Sequence, residues 1–115
     1  MSNPHEAGTK LYQLKCTACR VGSAALNADQ IEQFMSQLSQ DWQVVDGHHI
    51  ERSYKFKDFR QGLDFVNKVG ELAEQQGHHP DIYLSWGKVK ITLFTHKIDG
   101  LHQSDFIMAA KIDQL

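Results

Sequence analysis

The chain has 115 residues, 41% of them apolar and 23% charged, which is typical of one globular domain with a single core. Its formal charge of −2 lacks the basic excess of a nucleic-acid binder. No apolar run approaches the ~20 residues that span a bilayer, and the polar N-terminus has no signal-peptide core. We therefore expect a cytoplasmic protein with neither nucleic-acid nor membrane partners.

Residues 1–22 are polar and show no sustained hydrophobic period, so we expect a flexible arm ahead of one domain over residues 23–115. The hydrophobic periods of that domain predict three helices and four strands, in this order: a helix capped by Asn27, strands over 42–45 and 50–56 joined at Asp46-Gly47, a helix capped by Asp58 and ended by Gly77, strands over 82–85 and 88–96 joined at Trp86-Gly87, and a helix capped by Ser104. The order αββαββα predicts an α+β fold, in which a four-stranded antiparallel sheet carries its helices on one face.

Three of the seven histidines lie at positions that this topology brings together. His78 and His79 stand directly before Pro80, which restricts the preceding residue to extended conformations. If Trp86-Gly87 is a two-residue turn, the hairpin register returns His96 to the side of His78. Imidazole is the side chain whose unperturbed pKa lies near neutrality, so the group predicts either acid/base chemistry or metal binding. Adjacent side chains of an extended segment point to opposite sides, which disfavours one shared metal ion.

The remaining histidines, the two cysteines and Asp105 are weaker candidates for a functional site. Four histidines are interpreted as surface or structural residues: His5, His48, His49 and His102. We expect the first hairpin to hold His49 away from the site. Cys16 and Cys19, spaced as CxxC, are expected to be free thiols on an arm that activity does not need, although a redox pair or half of a zinc site stays open. Asp105 suits the first turn of a helix, where the dipole favours a negative charge.

Several segments form one longer pattern: Glu74–Asp81 (EQQGHHPD), Lys88–Leu93, Thr95-His96, Gly100-Leu101 and Asp105, with Trp42 and Tyr54–Phe59 upstream. This pattern resembles the signature of the pterin-4a-carbinolamine dehydratases, also called dimerization cofactors of a homeodomain transcription factor. The resemblance covers roughly residues 24 to 113, and Lys15–Arg20 resembles the arm of many bacterial members. One departure is Gly77, where some members carry an acidic residue or Asn.

The resemblance implies a four-stranded antiparallel sheet with helices on one face. It implies an enzyme that removes water from 4a-hydroxytetrahydropterin, giving quinonoid dihydropterin, without a metal or organic cofactor. This step recycles the pterin used by an aromatic amino-acid hydroxylase, the implied pathway partner, and the implied assembly is a homodimer or homotetramer. Carried over by position, the site residues are His78, His79, His96 and Asp105 for catalysis, and the same three histidines with Pro80, Thr95 and Lys97 for pterin binding.

Within this site, we expect His79 and His96 to transfer protons and His78 to bind and orient the pterin. Neighbouring histidines titrate as a coupled set, so the identities of the acid and the base stay open. Two rival functions also stay open. One is a three-histidine metal hydrolase, and the other is a non-enzymatic interaction or assembly factor on the same fold.

Overall fold

The computed structural model of the protein describes residues 10–17 and 24–115. Their elements are α1 (Ala28–Met35), β1 (Gln43–Val45), β2 (His49–Lys55), α2 (Phe59–Gln76), β3 (Asp81–Ser85), β4 (Lys88–Leu93) and α3 (Gln103–Ile112), with 3₁₀ turns at Leu11–Gln13 and His96–Ile98. The predicted α+β class and element order are confirmed. Among the described residues, no helix is both long and apolar enough to cross a bilayer.

The four strands form one antiparallel sheet in the order β1-β2-β4-β3. Along β4, Val89, Ile91 and Leu93 are fully buried, whereas the residues between them are more exposed. Alternating side chains of a strand face opposite sides of the sheet, so one face packs on the helices and the other is open. Lys90 and Glu51 form an ion pair of 2.7 Å on that open face.

The predicted helix starts and turns follow from local chemistry. Asn27 accepts a hydrogen bond from the Gln30 amide at 2.9 Å, and the Gln30 side chain accepts one from the Asn27 amide at 3.0 Å, which completes the capping box. Asp58 caps α2 in the same manner through the Gln61 amide. Gly77 ends α2 in the left-handed conformation at φ 64°, which glycine adopts without steric cost.

Two predicted boundaries are wrong by more than one residue. β4 ends at Leu93 rather than at residue 96, because the chain turns through the 3₁₀ segment, which is closed by backbone hydrogen bonds between Thr95 and Gly100. The last helix is capped by His102 rather than by Ser104. The His102 ring accepts the Ser104 amide at 3.1 Å, while the Ser104 hydroxyl is occupied by the backbone of Thr17.

The described part of the predicted arm also differs from expectation. Leu11 is only 3% exposed and belongs to the core, and the Lys111 ammonium of α3 donates to the Tyr12 carbonyl at 2.8 Å. Thr17 exchanges two hydrogen bonds of 2.9 Å with the Ser104 hydroxyl. Residues 10–17 are therefore fastened to α3. The rest of the predicted arm, with Cys19, lies outside the described residues.

Candidate active site

The β3–β4 hairpin has the register that its turn predicted. Ser85 pairs with Lys88 and Asp81 pairs with Thr92, so the chain beyond β4 returns to the segment that precedes β3. The two ends enclose a pocket of about 300 Å³, which is lined by Thr17, Gly77, His78, His79, Phe94, Thr95, His96, Lys97 and His102. The three histidines singled out in the sequence thus share one pocket.

His78 is held by a buried carboxylate. Its Nε2 lies 2.6 Å from Oδ1 of Asp105, which has no exposed surface. Asp105 also accepts the Thr95 hydroxyl at 2.8 Å and the His102 amide at 2.9 Å. Both of these partners donate to Oδ2, so Oδ1 is left for His78, and an ionised Asp105 accepts a hydrogen bond from Nε2–H of that ring. This arrangement leaves Nδ1 as the ring atom that is free of Asp105.

His79 pairs with a different carboxylate and is much more exposed than His78. Its Nε2 pairs with Oε2 of Glu74, and both side chains are more than half exposed. The extended conformation before Pro80 explains why two adjacent histidines have separate carboxylate partners. Pro80 lines a neighbouring groove, together with Glu74 and His79, rather than the three-histidine pocket. The family resemblance grouped Pro80 with the pterin contacts, so its position differs from that expectation.

His96 is exposed and opens the 3₁₀ turn, and its ring packs on Phe94 with centroids 4.2 Å apart. Phe94 also contacts His48 at 4.7 Å, because β2 pairs with β4 and the end of the first hairpin therefore lies beside Phe94. His48 contacts His49 through their Nδ1 atoms at 3.0 Å. The described pocket wall does not include His49, although its neighbour His48, at the end of the first hairpin, contacts Phe94 of that wall.

Four residues of the pocket wall were not among the predicted site residues: Thr17, Gly77, Phe94 and His102. Thr17 had no signal, because its position depends on the packing of the N-terminal segment against α3. The segment was expected to be dispensable because nothing in the sequence placed it at the histidines, and the pocket wall now does so. His102 did have a signal, since it stands three residues before Asp105 at the spacing of a capping box.

In the part of the chain that the structure describes, Cys16 is not activated for reaction and no metal-binding group of side chains is present. Burial raises the pKa of the Cys16 thiol to about 11, so the thiol stays protonated at neutral pH and is a poor nucleophile or metal ligand. Its Sγ lies 3.5 Å from the Ser104 carbonyl. Within residues 10–17 and 24–115, no three His, Cys, Asp or Glu side chains are grouped so that they could hold a metal ion.

Comparison with known proteins identifies the family. The sequence profile described as pterin 4 alpha carbinolamine dehydratase matches residues 24–115. The chain belongs to the pterin 4 alpha carbinolamine dehydratase family. A protein of Alkaliphilus metalliredigens, provisionally named pterin-4-alpha-carbinolamine dehydratase, is 55% identical over 104 residues, which is 90% of this chain and 94% of that protein. The resemblance seen in the sequence and the assignment to a dehydratase class of enzyme are thereby confirmed.

Solved structures agree with this family assignment. The crystal structure of a transcriptional coactivator/pterin dehydratase from Brucella melitensis superposes with a TM-score of 0.72 at 34% identity, covering 78% of this chain and 96% of that chain. A pterin dehydratase-like protein described as a RuBisCO assembly factor in the alpha-carboxysome has a TM-score of 0.55 at 22% identity, covering 65% and 88%. That second likeness shows the fold alone.

Proposed function

We propose that this protein removes water from 4a-hydroxytetrahydropterin, giving quinonoid dihydropterin, by acid/base catalysis with its pocket histidines. The observation that carries the proposal is the convergence of His78, His79 and His96 on one pocket, with the buried Asp105 bound to the first of them. Family membership supports the same reaction, since the matching profile is that of the carbinolamine dehydratases.

The reaction needs two proton movements and no redox change. The bond between carbon 4a and its hydroxyl breaks as an imidazolium protonates the leaving oxygen, which departs as water. A neutral imidazole takes the proton of the adjacent ring nitrogen, whose electron pair completes the new double bond. Groups that titrate near the working pH suit both steps, and the two histidines end with their charges exchanged. Solvent or the departing water then restores the starting protonation.

His79 and His96 are proposed as the proton-transfer pair. His96 is exposed at the pocket opening, and His79 is paired with the Glu74 carboxylate, which orients its ring. His78 is proposed to bind and orient the pterin, because its contact with Asp105 fixes the ring. Thr95 and Lys97 are proposed as further pterin contacts, since both line the pocket.

The direct test is a stopped assay of a freshly generated 4a-hydroxytetrahydropterin, with and without the protein. We expect faster dehydration without added metal and no effect of a chelator. Activity that is abolished by chelator and restored by zinc would replace the acid/base mechanism with a metal-dependent one. A folded protein without any dehydration activity would instead favour an interaction or assembly factor on this fold.

We also propose that the protein forms a homodimer or homotetramer and serves the pterin cycle of an aromatic amino-acid hydroxylase. The edge strand β3 supports self-association, because Ile82, Tyr83 and the following Trp86 expose large apolar side chains. The pathway role follows from the proposed product, which is an oxidised pterin that must be reduced before reuse. The expected cytoplasmic location stays a prediction.

A further inference from the structure

A fourth histidine, His102, lies on the wall of the same pocket and is also the N-cap of α3. N-caps are usually Ser, Thr, Asp or Asn, short side chains whose polar atoms all lie close to the helix end. An imidazole differs because it has a second nitrogen beyond the one that caps. His at this position therefore gives a residue of the pocket wall a second polar atom that reaches further from the backbone than the usual cap side chains do.

The cap fixes the tautomer of this ring. The Ser104 amide donates to His102 Nδ1 at 3.1 Å, and an amide can only donate. Nδ1 must therefore carry a lone pair, and the ring proton resides on Nε2. The backbone amide of His102 donates at 2.9 Å to Oδ2 of Asp105, the carboxylate that also holds His78. The ring is thus oriented by the helix, and its backbone is anchored to the centre of the site.

We infer that His102 is a substrate-binding residue that donates a hydrogen bond from Nε2–H to an acceptor atom of the pterin. The inference rests on the proposed dehydratase function and deepens it. Its chemistry differs from that of the other pocket histidines. A neutral imidazole that already carries its proton on Nε2 cannot act as a base at that atom, and it is far too weak an acid to protonate a leaving group. His102 therefore orients the substrate without exchanging a proton with it.

The test replaces the donor and keeps the cap. In His102→Asn, the side-chain oxygen can cap α3 in place of Nδ1, while the NH₂ group takes the place of the ring carbon Cδ2 and ends one bond short of the Nε2–H donor. We expect the melting temperature to stay within a few degrees and KM to rise about tenfold, the upper range for one neutral hydrogen bond, with kcat changed less than about twofold. His102→Ser is a second cap-preserving variant in case the first folds poorly.

The matched control is Asp58→Asn, a cap exchange at the start of α2, the opposite end of that helix from Gly77. It should leave KM unchanged. An independent readout is the ¹⁵N spectrum of the histidine rings, in which His102 should show a protonated Nε2 and a bare Nδ1. Saturation with 7,8-dihydropterin, a non-reacting analogue, should shift the Nε2 resonance.

The outcomes separate the two proposals. If the wild-type protein dehydrates the pterin and both folded His102 variants keep its KM, the inference is overturned and the proposed function stands. A His102 ring protonated on Nδ1, or one whose Nε2 signal ignores the dihydropterin while other pocket histidines respond, overturns it as well. Absence of dehydration by the wild-type protein overturns the proposed function, and the inference with it.

Discussion

Replacement of Asp105 by Asn is the sharpest probe of how the site is built. The carboxylate accepts three hydrogen bonds: from His78 at 2.6 Å, from Thr95 at 2.8 Å and from the His102 amide at 2.9 Å. The carbonyl oxygen of Asn accepts at most two of these hydrogen bonds, and its NH₂ group, itself a donor, faces the third partner. A buried donor left without an acceptor costs about 1–3 kcal/mol, and the remaining bonds lose their charge assistance. We expect a loss of ~2–3 kcal/mol, which lowers the melting temperature by roughly 10 °C.

The same change should reorient His78. The Thr95 hydroxyl can rotate, whereas the His102 amide is fixed by the helix. The Asn oxygen is therefore expected to keep the hydrogen bond from the His102 amide. The Asn NH₂ group then faces Nε2 of His78. The His78 ring must then present a bare Nε2 and move its proton to Nδ1. Because this alters pterin orientation without removing a proton-transfer group, we expect an intermediate rate loss of roughly tenfold, less than the 10²-fold typical of a lost acid or base.

Asp113→Asn is a matched control on the same helix. Asp113 also accepts three hydrogen bonds, from Ser39, Trp42 and Arg52, at 2.9, 2.8 and 2.6 Å. It is the residue that caps the end of α3, eight residues beyond Asp105, which is about 12 Å at the helical rise. Thermal melts should therefore show a comparable loss of stability for both variants, whereas the dehydration assay, run below both melting temperatures, should show a rate loss only for Asp105→Asn. Equal activity of the two variants, or an Asp105→Asn protein as stable as wild type, would refute this account of the carboxylate.

Further substitutions and measurements test the rest of the site. His79→Ala and His96→Ala should each lower the dehydration rate by roughly 10²-fold or more, and the double variant should lose less than the product of the two; a fully active, folded His96→Ala protein would move the site elsewhere. His49→Ala should have little effect on the dehydration rate. His48→Ala, which removes the ring that packs on Phe94, should lower the rate more; a larger loss in His49→Ala would contradict the contact between His48 and Phe94. Peptide-resolved alkylation of Cys16 should be slow at pH 8 and accelerate toward pH 11, because burial raises its pKa to about 11; fast labelling at pH 8 would show that the segment opens. Light scattering should give a multiple of the 13.1 kDa chain mass, and a monodisperse monomer at micromolar concentration would rule out self-association.

The features that could be predicted from the sequence are those set by short-range chemistry. The register of the second hairpin depends on its two-residue turn, Trp86-Gly87, and the paired residues follow from it by counting. The helix starts at Asn27 and Asp58 and the helix end at Gly77 each depend on one side chain or one backbone conformation. These local rules are sufficient to predict that the three histidines approach one another.

The features that were missed depend on contacts between distant segments. Leu11 of the predicted arm is buried in the core, although no periodic pattern in the surrounding sequence predicts its burial. Ser104 is a better cap than His102 by residue preference, but its hydroxyl is used by Thr17, a partner 87 residues away in the chain. At both places a tertiary contact overrides the local preference: Leu11 packs into the core, and the Ser104 hydroxyl bonds to Thr17 instead of capping α3.

The early end of β4 decides which side of the sheet His96 reaches. In a strand continued beyond Leu93, residue 96 would share the face of Lys90 and Thr92, which is opposite to the face that packs on the helices. Asp105 and His102 belong to the start of α3 on the helical side. The 3₁₀ turn over His96–Ile98, closed by the bridge between residues 95 and 100, breaks this alternation and admits His96 to the pocket wall beside His78. Hairpin counting therefore predicts that the histidines approach one another, while the turn that follows the strand determines that they share a pocket.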